Sequence, residues 1–272
     1  NDGIHPDLII SSPALRAKTT AIAFAKALSY PPDSIRYDHA LYASDVETIL
    51  SLIRDVPPSV NTLFVFGHNP EFTELEFYEA YKDSVHCRKL VETLIKKLAK
   101  KVFGKEYFEY EGQKISFNKK FWVIDFYDVL GRGALVNNPQ SKEELTLKAK
   151  QFGVDVSKED SQWKIADNIF KKICRPKIIQ PTFVVNYPVE SSPLAKRLPG
   201  NQLLDRFQLI VAGLEIANGF SELNDPIEQA ERFAMQDKLA AAGEKNVSPS
   251  DVDFLEAMEY GMPPATGCGI GI

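Results

Sequence analysis

Short apolar runs broken by turn residues open the chain, and longer amphipathic stretches follow. Asp7–Ile10 carries the continuous apolar pattern of a strand buried on both faces of a parallel sheet. Ser12 and Pro13 predict the cap and first residue of a helix running to about Ser29, with Leu15, Ile22, Phe24, Ala25 and Leu28 inward. Pro31 and Pro32 stop it. A second helix is expected from about Ser44, with Val46, Ile49, Leu50 and Ile53 inward, ending at Pro57 and Pro58. Thr62–Phe66 is another buried strand and leads into Gly67 and His68. Strand, helix, helix, strand predicts a parallel α/β layer, whose ligands sit outside the carboxyl ends of the strands. Arg16 and His68 fall at that rim, and Arg16 lies in a first helical turn, where free N–H groups favour an anion.

The pattern then changes. From Phe72 to Tyr78 positions alternate: Thr73, Leu75 and Phe77 form a core face, while Phe72, Glu74, Glu76 and Tyr78 form the other. Two aromatics with two carboxylates suit either a solvated strand or the wall of a cation pocket. A long helix follows to about Val102, with Leu90, Leu94, Ile95 and Leu98 inward and lysines on a solvated face. Residues 105–172 read as two strands, a loop and a polar helical stretch. There Trp122 sits in an apolar strand from Phe121 to Phe126, a charged helix starts at Ser141, and Trp163 and Ile169 dock a further helix. Ile178–Tyr187 is a strand, and Arg206–Ile216 is another, interrupted at Gly213 by a bulge or close backbone approach. Beyond it Asn218, Phe220 and Glu222 share a face. Asn224–Pro226 start a helix through Phe233 and Leu239, with Glu228, Glu231 and Arg232 toward solvent. A short helix, Val252–Tyr260, precedes a glycine-rich end whose Gly-x-Gly-x-Gly lacks phosphate-loop spacing.

Composition narrows the class. With 272 residues, 44% apolar and 25% charged, the chain reads as a globular protein of one large or two ordinary domains. A net charge of −5 gives no overall basic field, so contact with nucleic acid has to be local. Three well-separated cysteines (Cys87, Cys174, Cys268) suit a reducing, cytoplasmic setting and lack metal-binding spacing. No run approaches a membrane span, and the opening without Met, in mid-pattern, reads as a fragment.

PDLIISSPALRAKTTA, Leu41-Tyr42 and VFGHNP resemble the histidine phosphatase superfamily, in its phosphohistidine phosphatase branch, over residues 1–70. That resemblance makes Arg16 a phosphoryl clamp and His68 the second active-site histidine. The family's Arg-His nucleophile motif is absent, so no phosphohistidine intermediate is expected.

HNPEFTELEFYEAY, KIIQPTFVVNYPVESSPLAKR, AGLEIANGFSELNDPIEQAERF and FLEAMEYGMPPATGCGIGI resemble the class II lysyl-tRNA synthetase catalytic domain. The resemblance implies an antiparallel sheet flanked by helices over residues 71–272, with an insertion at about 105–175. The implied fold is thus a parallel α/β fragment joined to an antiparallel α+β core. Lysine would bind Glu76, Tyr78, Asn218, Phe220 and Glu222. ATP would contact His68, Phe72, Glu215, Gly269 and Gly271; Mg2+ would sit on Glu215, more weakly on Gln208. Catalysis would rest on Glu215 and His68, and the partners would be lysine and tRNA-Lys. The family is homodimeric, but its dimer motif, motif 1, is absent here, as is the anticodon-binding domain. Two departures stand out. Asn61–Gly67 occupies the place of the motif 2 arginine strand, and the chain ends before the motif 3 arginine. Three readings stay open: a lysine–tRNA ligase catalytic-domain fragment, expected to be inactive as this truncated chimera; a phosphohistidine phosphatase with an extension; and a non-functional fusion of two gene fragments. If the segments pack together, Thr62–Phe66 is expected to fill the missing strand place.

Overall fold

The computed structural model describes residues 5–42, 51–67, 74–157, 160–241 and 250–271. Their strands are β1 (Leu8–Ser11), β2 (Arg36–Tyr37), β3 (Thr62–Phe66), β4 (Glu74–Ala80), β5 (Tyr107–Tyr110), β6 (Gln113–Ser116), β7 (Trp122–Asp125), β8 (Thr182–Pro188), β9 (Leu203–Val211), β10 (Leu214–Ser221) and β11 (Ala265–Gly271). The helices are α1 (Leu15–Leu28), α2 (Ser84–Phe103), α3 (Phe126–Ala134), α4 (Lys142–Gln151), α5 (Gln162–Ile169), α6 (Pro226–Ala241) and α7 (Val252–Glu259).

Nine strands form one mixed sheet in the order β2-β1-β3-β4-β11-β10-β9-β8-β7, and β5-β6 is a separate hairpin. The first three strands are parallel, as the apolar runs predicted. The sheet turns antiparallel where β3 meets β4, with Leu63 opposite Tyr78 and Val65 opposite Glu76. Thr62–Phe66 therefore does fill the strand place beside β4. Burial explains why the junction holds. Phe64 stacks on Phe77 across it at 5.5 Å, and Phe24 of α1 meets Phe66 edge-on at 5.4 Å. Both helices α1 and α2 cover this face, so Ala21, Phe24 and Leu28 share a core with Cys87, Val91 and Leu94.

Among the described residues, the apolar clusters on the opposite face lie at its two ends. Ile10, Leu41, Leu52 and Val65 cluster over β1 and β3. Helices α3 to α5, with the π-helical turn Phe170–Cys174, bury Val184, Tyr187 and Ile210 at the far end. Between them β4, β11, β10 and β9 floor an open trough.

Several local expectations are corrected. The first helix starts at Leu15 rather than Pro13, with Ser12 Oγ accepting from Ala14 N–H at 3.3 Å. Leu15 is 81% exposed, because the later start turns it away from the inward stripe, and Ile53 is also exposed. Val46, Ile49 and Leu50 lie outside the described residues. Phe126 begins α3 instead of ending a strand, since its ring seats against Tyr187 at 4.8 Å. Gly213 marks a hairpin turn between two strands rather than a bulge within one, and the expected close backbone approach is there: a Cβ would lie 3.0 Å from Pro176 Cα. Ala212 and Gly213 both have positive φ (52° and 75°), the geometry of a tight primed turn, and the bulge lies between Glu215 and Ala217. Arg232 is buried, not solvent-facing: its guanidinium donates to Glu228 Oε1 and to the carbonyls of Ser192 and Ala195.

If the β3–β4 junction carries the cooperativity, Phe64→Ala should cost about 3 kcal/mol as a core truncation. Urea unfolding followed by near-UV and far-UV circular dichroism should show one shifted transition. An unchanged midpoint would mean that the N-terminal strands contribute little.

Candidate functional site

Strand alternation selects the trough's side chains. On β4, Leu75 and Phe77 are buried in the core, so Glu76 and Tyr78 face the trough. On β11 the residues opposite them are Gly269 and Gly267, and across those on β10 lie Asn218 and Phe220. The glycines form a floor without side chains between two walls. Gly267 has a steric reason for its identity. A Cβ there would lie 2.5 Å from Tyr78 Cδ1 and Cε1 and 2.8 Å from Glu222 Oε1.

Glu222 follows β10 and is fixed by its backbone, donating to the Ala265 carbonyl at 2.8 Å. The preceding Ser221 is tied to the start of α2: its Oγ donates to Asp205 and accepts from Ser84 N–H. Glu222 Oε1 is buried and has no hydrogen-bond partner among the described residues. Its carboxyl is pushed up to about 8, by burial first and then by the charge of Glu76. Tyr78 Oη donates to Glu76 Oε2 at 3.5 Å, and its phenol is held well above the usual range by burial, then by Glu76 and Glu222. A buried carboxylate without a partner, beside a second carboxylate, is costly unless a cation arrives between them. A small cation that donates hydrogen bonds would offset that cost.

Toward the helical end, Arg206 organises the wall. Its Nε donates to Asn218 Oδ1 at 3.2 Å, its Nη1 to the Ser191 carbonyl at 2.9 Å, and its guanidinium stacks 4.9 Å from the centre of the Tyr187 ring. Tyr187 Oη donates to Gln208 Oε1 at 2.6 Å. Gln208, Glu215, Arg206 and Glu190 line a cavity of about 420 Å³ that continues to Asp167 on α5 and Gln236 on α6. Arg175 Nη1 lies 3.9 Å from Glu215 Oε2. One carboxylate and one amide oxygen are too few for a protein-held metal, and no cluster of three or more His, Cys, Asp or Glu exists among the described residues.

The structure thus brings together Glu76, Tyr78, Asn218, Phe220, Glu222 and Gly269 around the trough, with Gly271 further along the floor. Gln208 and Glu215 stand at its helical end. His68, Phe72 and the side chains of Arg16 and Glu74 lie outside the described residues. Sequence reasoning missed Arg206, Tyr187 and Gly267. For Gly267 a signal existed: glycines at alternate positions 267, 269 and 271 mark one bare strand face, which the phosphate-loop comparison overlooked.

Residues 65–272 match the family model described as tRNA synthetases class II (D, K and N). The chain is 42% identical over 210 residues to a lysine–tRNA ligase of Wigglesworthia glossinidia brevipalpis, covering 76% of this chain and 42% of that protein. A lysine–tRNA ligase of Pelotomaculum thermopropionicum is 44% identical over 214 residues, covering 75% of this chain and 42% of its own length. One from Acinetobacter baumannii is 40% identical over 215 residues, covering 75% and 41% respectively. The chain therefore spans about two fifths of the length of these relatives.

The raised Glu222 carboxyl gives a pH signature. Below pH 8 the empty site holds a proton that a bound ammonium must displace. Affinity for a small alkylammonium, whose amine stays charged to about pH 10, should rise roughly tenfold per unit from pH 6 to 7.5 and level off above 8. Calorimetry in buffers of different ionisation enthalpy should show about one proton released at pH 7. Glu222→Gln should abolish both effects; persistence of either would move the proton to another group. Gly267→Ala should weaken the same binding roughly tenfold or more by displacing Tyr78 and Glu222.

Proposed function

Because the chain belongs to the class II tRNA synthetases of the D, K and N group, we propose that its trough takes free lysine for activation by ATP. The observation that carries this reading is the partnerless Glu222 oxygen beside Glu76 and Tyr78, above a glycine that keeps the space open. Lysine's ammonium is compact and strongly hydrated, and it leaves water only for opposed carboxylates that accept its hydrogen bonds. Glu76 and Glu222 supply those acceptors, and Tyr78 orients Glu76. Asn218, held by Arg206, faces the floor beside Gly269, where the backbone end of the amino acid would lie.

In this reading ATP enters from the end that holds Glu215, with His68 and Phe72 as its further contacts. The lysine carboxylate attacks the α-phosphate in line and pyrophosphate leaves. No general base is required, because the attacking carboxylate is already ionised; positioning and charge neutralisation do the work. Glu215, with the Gln208 amide oxygen, would hold magnesium brought in on the nucleotide, which neutralises phosphate charge. The lysyl group would then pass to tRNA-Lys, in the cytoplasm. No helix among the described residues is long and apolar enough to cross a membrane.

β3 limits this chemistry. The residues it turns toward the trough's face are Leu63 and Val65, and Val65 is buried in an apolar cluster. β3 itself offers no cation to grip the α-phosphate, and losing one such donor costs about 10²- to 10³-fold in rate. We expect calorimetry to show lysine binding with discrimination of roughly tenfold or more over norleucine, lost in Glu76→Gln and Glu222→Gln. Lysine-dependent ATP–pyrophosphate exchange by the 272-residue chain should remain far below that of a complete lysine–tRNA ligase. Failure to bind lysine would sink the proposal, and exchange at full rate would refute the role assigned to β3.

A second reading concerns residues 1–70. Their parallel β2-β1-β3 layer supports descent from a histidine phosphatase fragment, fused so that its last strand now completes a synthetase sheet. Hydrolysis of a phosphohistidine peptide by this chain would overturn the further expectation that the fragment is silent.

A further inference from the structure

A second surface, apart from the trough, combines features that the lysine reading leaves unused. β7 ends the sheet, paired with β8 on one side only. Its alternation sends Phe121 into the core against Phe183 and leaves Trp122 outward, 68% exposed. No ring among the described residues packs on this indole. Two hollows meet at it, of about 450 and 470 Å³, and both are lined by Trp122 and Gln180. Arg132 and Lys177 border one, and Lys114, Lys119 and Lys120 the other; among the described residues no Asp or Glu lines either. Five cations without a carboxylate stand out on a chain whose net charge is −5. Neither hollow shares a lining residue with the cavity at Glu215.

The surface is also held in shape. Gln180 pins the β5-β6 hairpin beside β7, its Nε2 donating to the Lys114 carbonyl at 2.8 Å and its Oε1 accepting from Ser116 N–H at 3.1 Å. Lys114 is carried over the exposed Tyr107 ring at 4.3 Å. Lys177 is anchored by donating to the Gly133 carbonyl at 2.8 Å, which leaves its other protons outward. None of the five makes an ion pair among the described residues.

We propose that the Trp122 surface binds single-stranded RNA, with a base stacked on the indole and flanking phosphates on the lysines and Arg132. A flat, exposed aromatic between two basic hollows is what an unpaired nucleotide strand needs. Duplex RNA keeps its bases inside the stack and offers the indole nothing to cover. An acidic peptide would satisfy the cations and leave Trp122 exposed, so the indole decides between these polyanions. The site lies outside the lysine trough, and its fate in the test is independent of lysine binding.

The chain has two tryptophans, so Trp163→Phe leaves Trp122 as the only indole reporter. Titrating that 272-residue variant with an oligouridylate should quench its emission saturably, with a dissociation constant of about 1–100 µM at physiological salt. The logarithm of affinity should fall against the logarithm of salt with a slope of about −2 to −3.5, for three to five phosphates at roughly 0.7 each. Lys119→Glu with Lys120→Glu should weaken binding about tenfold or more and flatten that slope, while lysine binding in the trough and the far-UV spectrum stay unchanged. Trp122→Ala, followed by anisotropy of labelled RNA, should cost about 10- to 100-fold. Absence of quenching, equal affinity for polyglutamate or for duplex RNA, or indifference to the Lys119 and Lys120 changes would each overturn the proposal.

Discussion

Two carboxylates brought together in a partly dry place set the terms for the rest of this structure. Glu76 and Glu222 repel one another, and burial raises the cost, so Glu222 is held near pH 8 in the absence of a ligand. Such a pair persists only where the surrounding sheet leaves it no room to relax. Here that frame is Gly267, whose missing side chain lets Tyr78 and Glu222 close in from opposite sides, and the Asp205–Ser221–Ser84 link, which ties the end of β10 to α2. In the proposed reading, a charged amine would relieve this cost and a neutral analogue would not.

The same frame depends on β3, a strand that straddles the start of the family match at residue 65. β4 carries Glu76 and Tyr78, and one of its edges is covered by β3. Without that neighbour β4 would present unpaired N–H and C=O groups, and its site face would splay. The N-terminal layer thus supports the trough mechanically while contributing Leu63 and Val65, which are chemically inert. A sheet needs only a strand of the right length with a buried face; a phosphate needs a cation at one atom.

Much of the fold was readable because alternation and apolar runs are local. β3 appears at the predicted residues, Leu75 and Phe77 are buried as expected, and Ser141 caps its helix by accepting from Glu144 N–H. The misreadings share a cause. Phe126 looked like strand because an aromatic beside apolar residues has strand propensity, yet its packing on Tyr187, 61 residues away, makes it the start of a helix. Arg232 looked like solvent because charged residues usually are, yet two carbonyls and Glu228 meet its guanidinium in a loop wrapped over α6. In both cases the deciding partner is remote in sequence.

By itself, the sequence determined the type and approximate bounds of most strands and helices, the carboxylates that share a face, and the family of residues 65–272. Those are properties of spacing, and spacing is fixed along the chain. Only the tertiary structure decided that one nine-stranded sheet joins strands before residue 65 to those after it, that Gly267 is the floor between Tyr78 and Glu222, and that Arg206 holds Asn218. It also placed Trp122 among cations drawn from the β6–β7 stretch, α3 and the turn before β8. Each of these is a contact between segments whose separation along the chain carries no information about their distance in space. Burial and close approach are set by the whole packing, and a pattern of residue types can propose them but cannot choose among them.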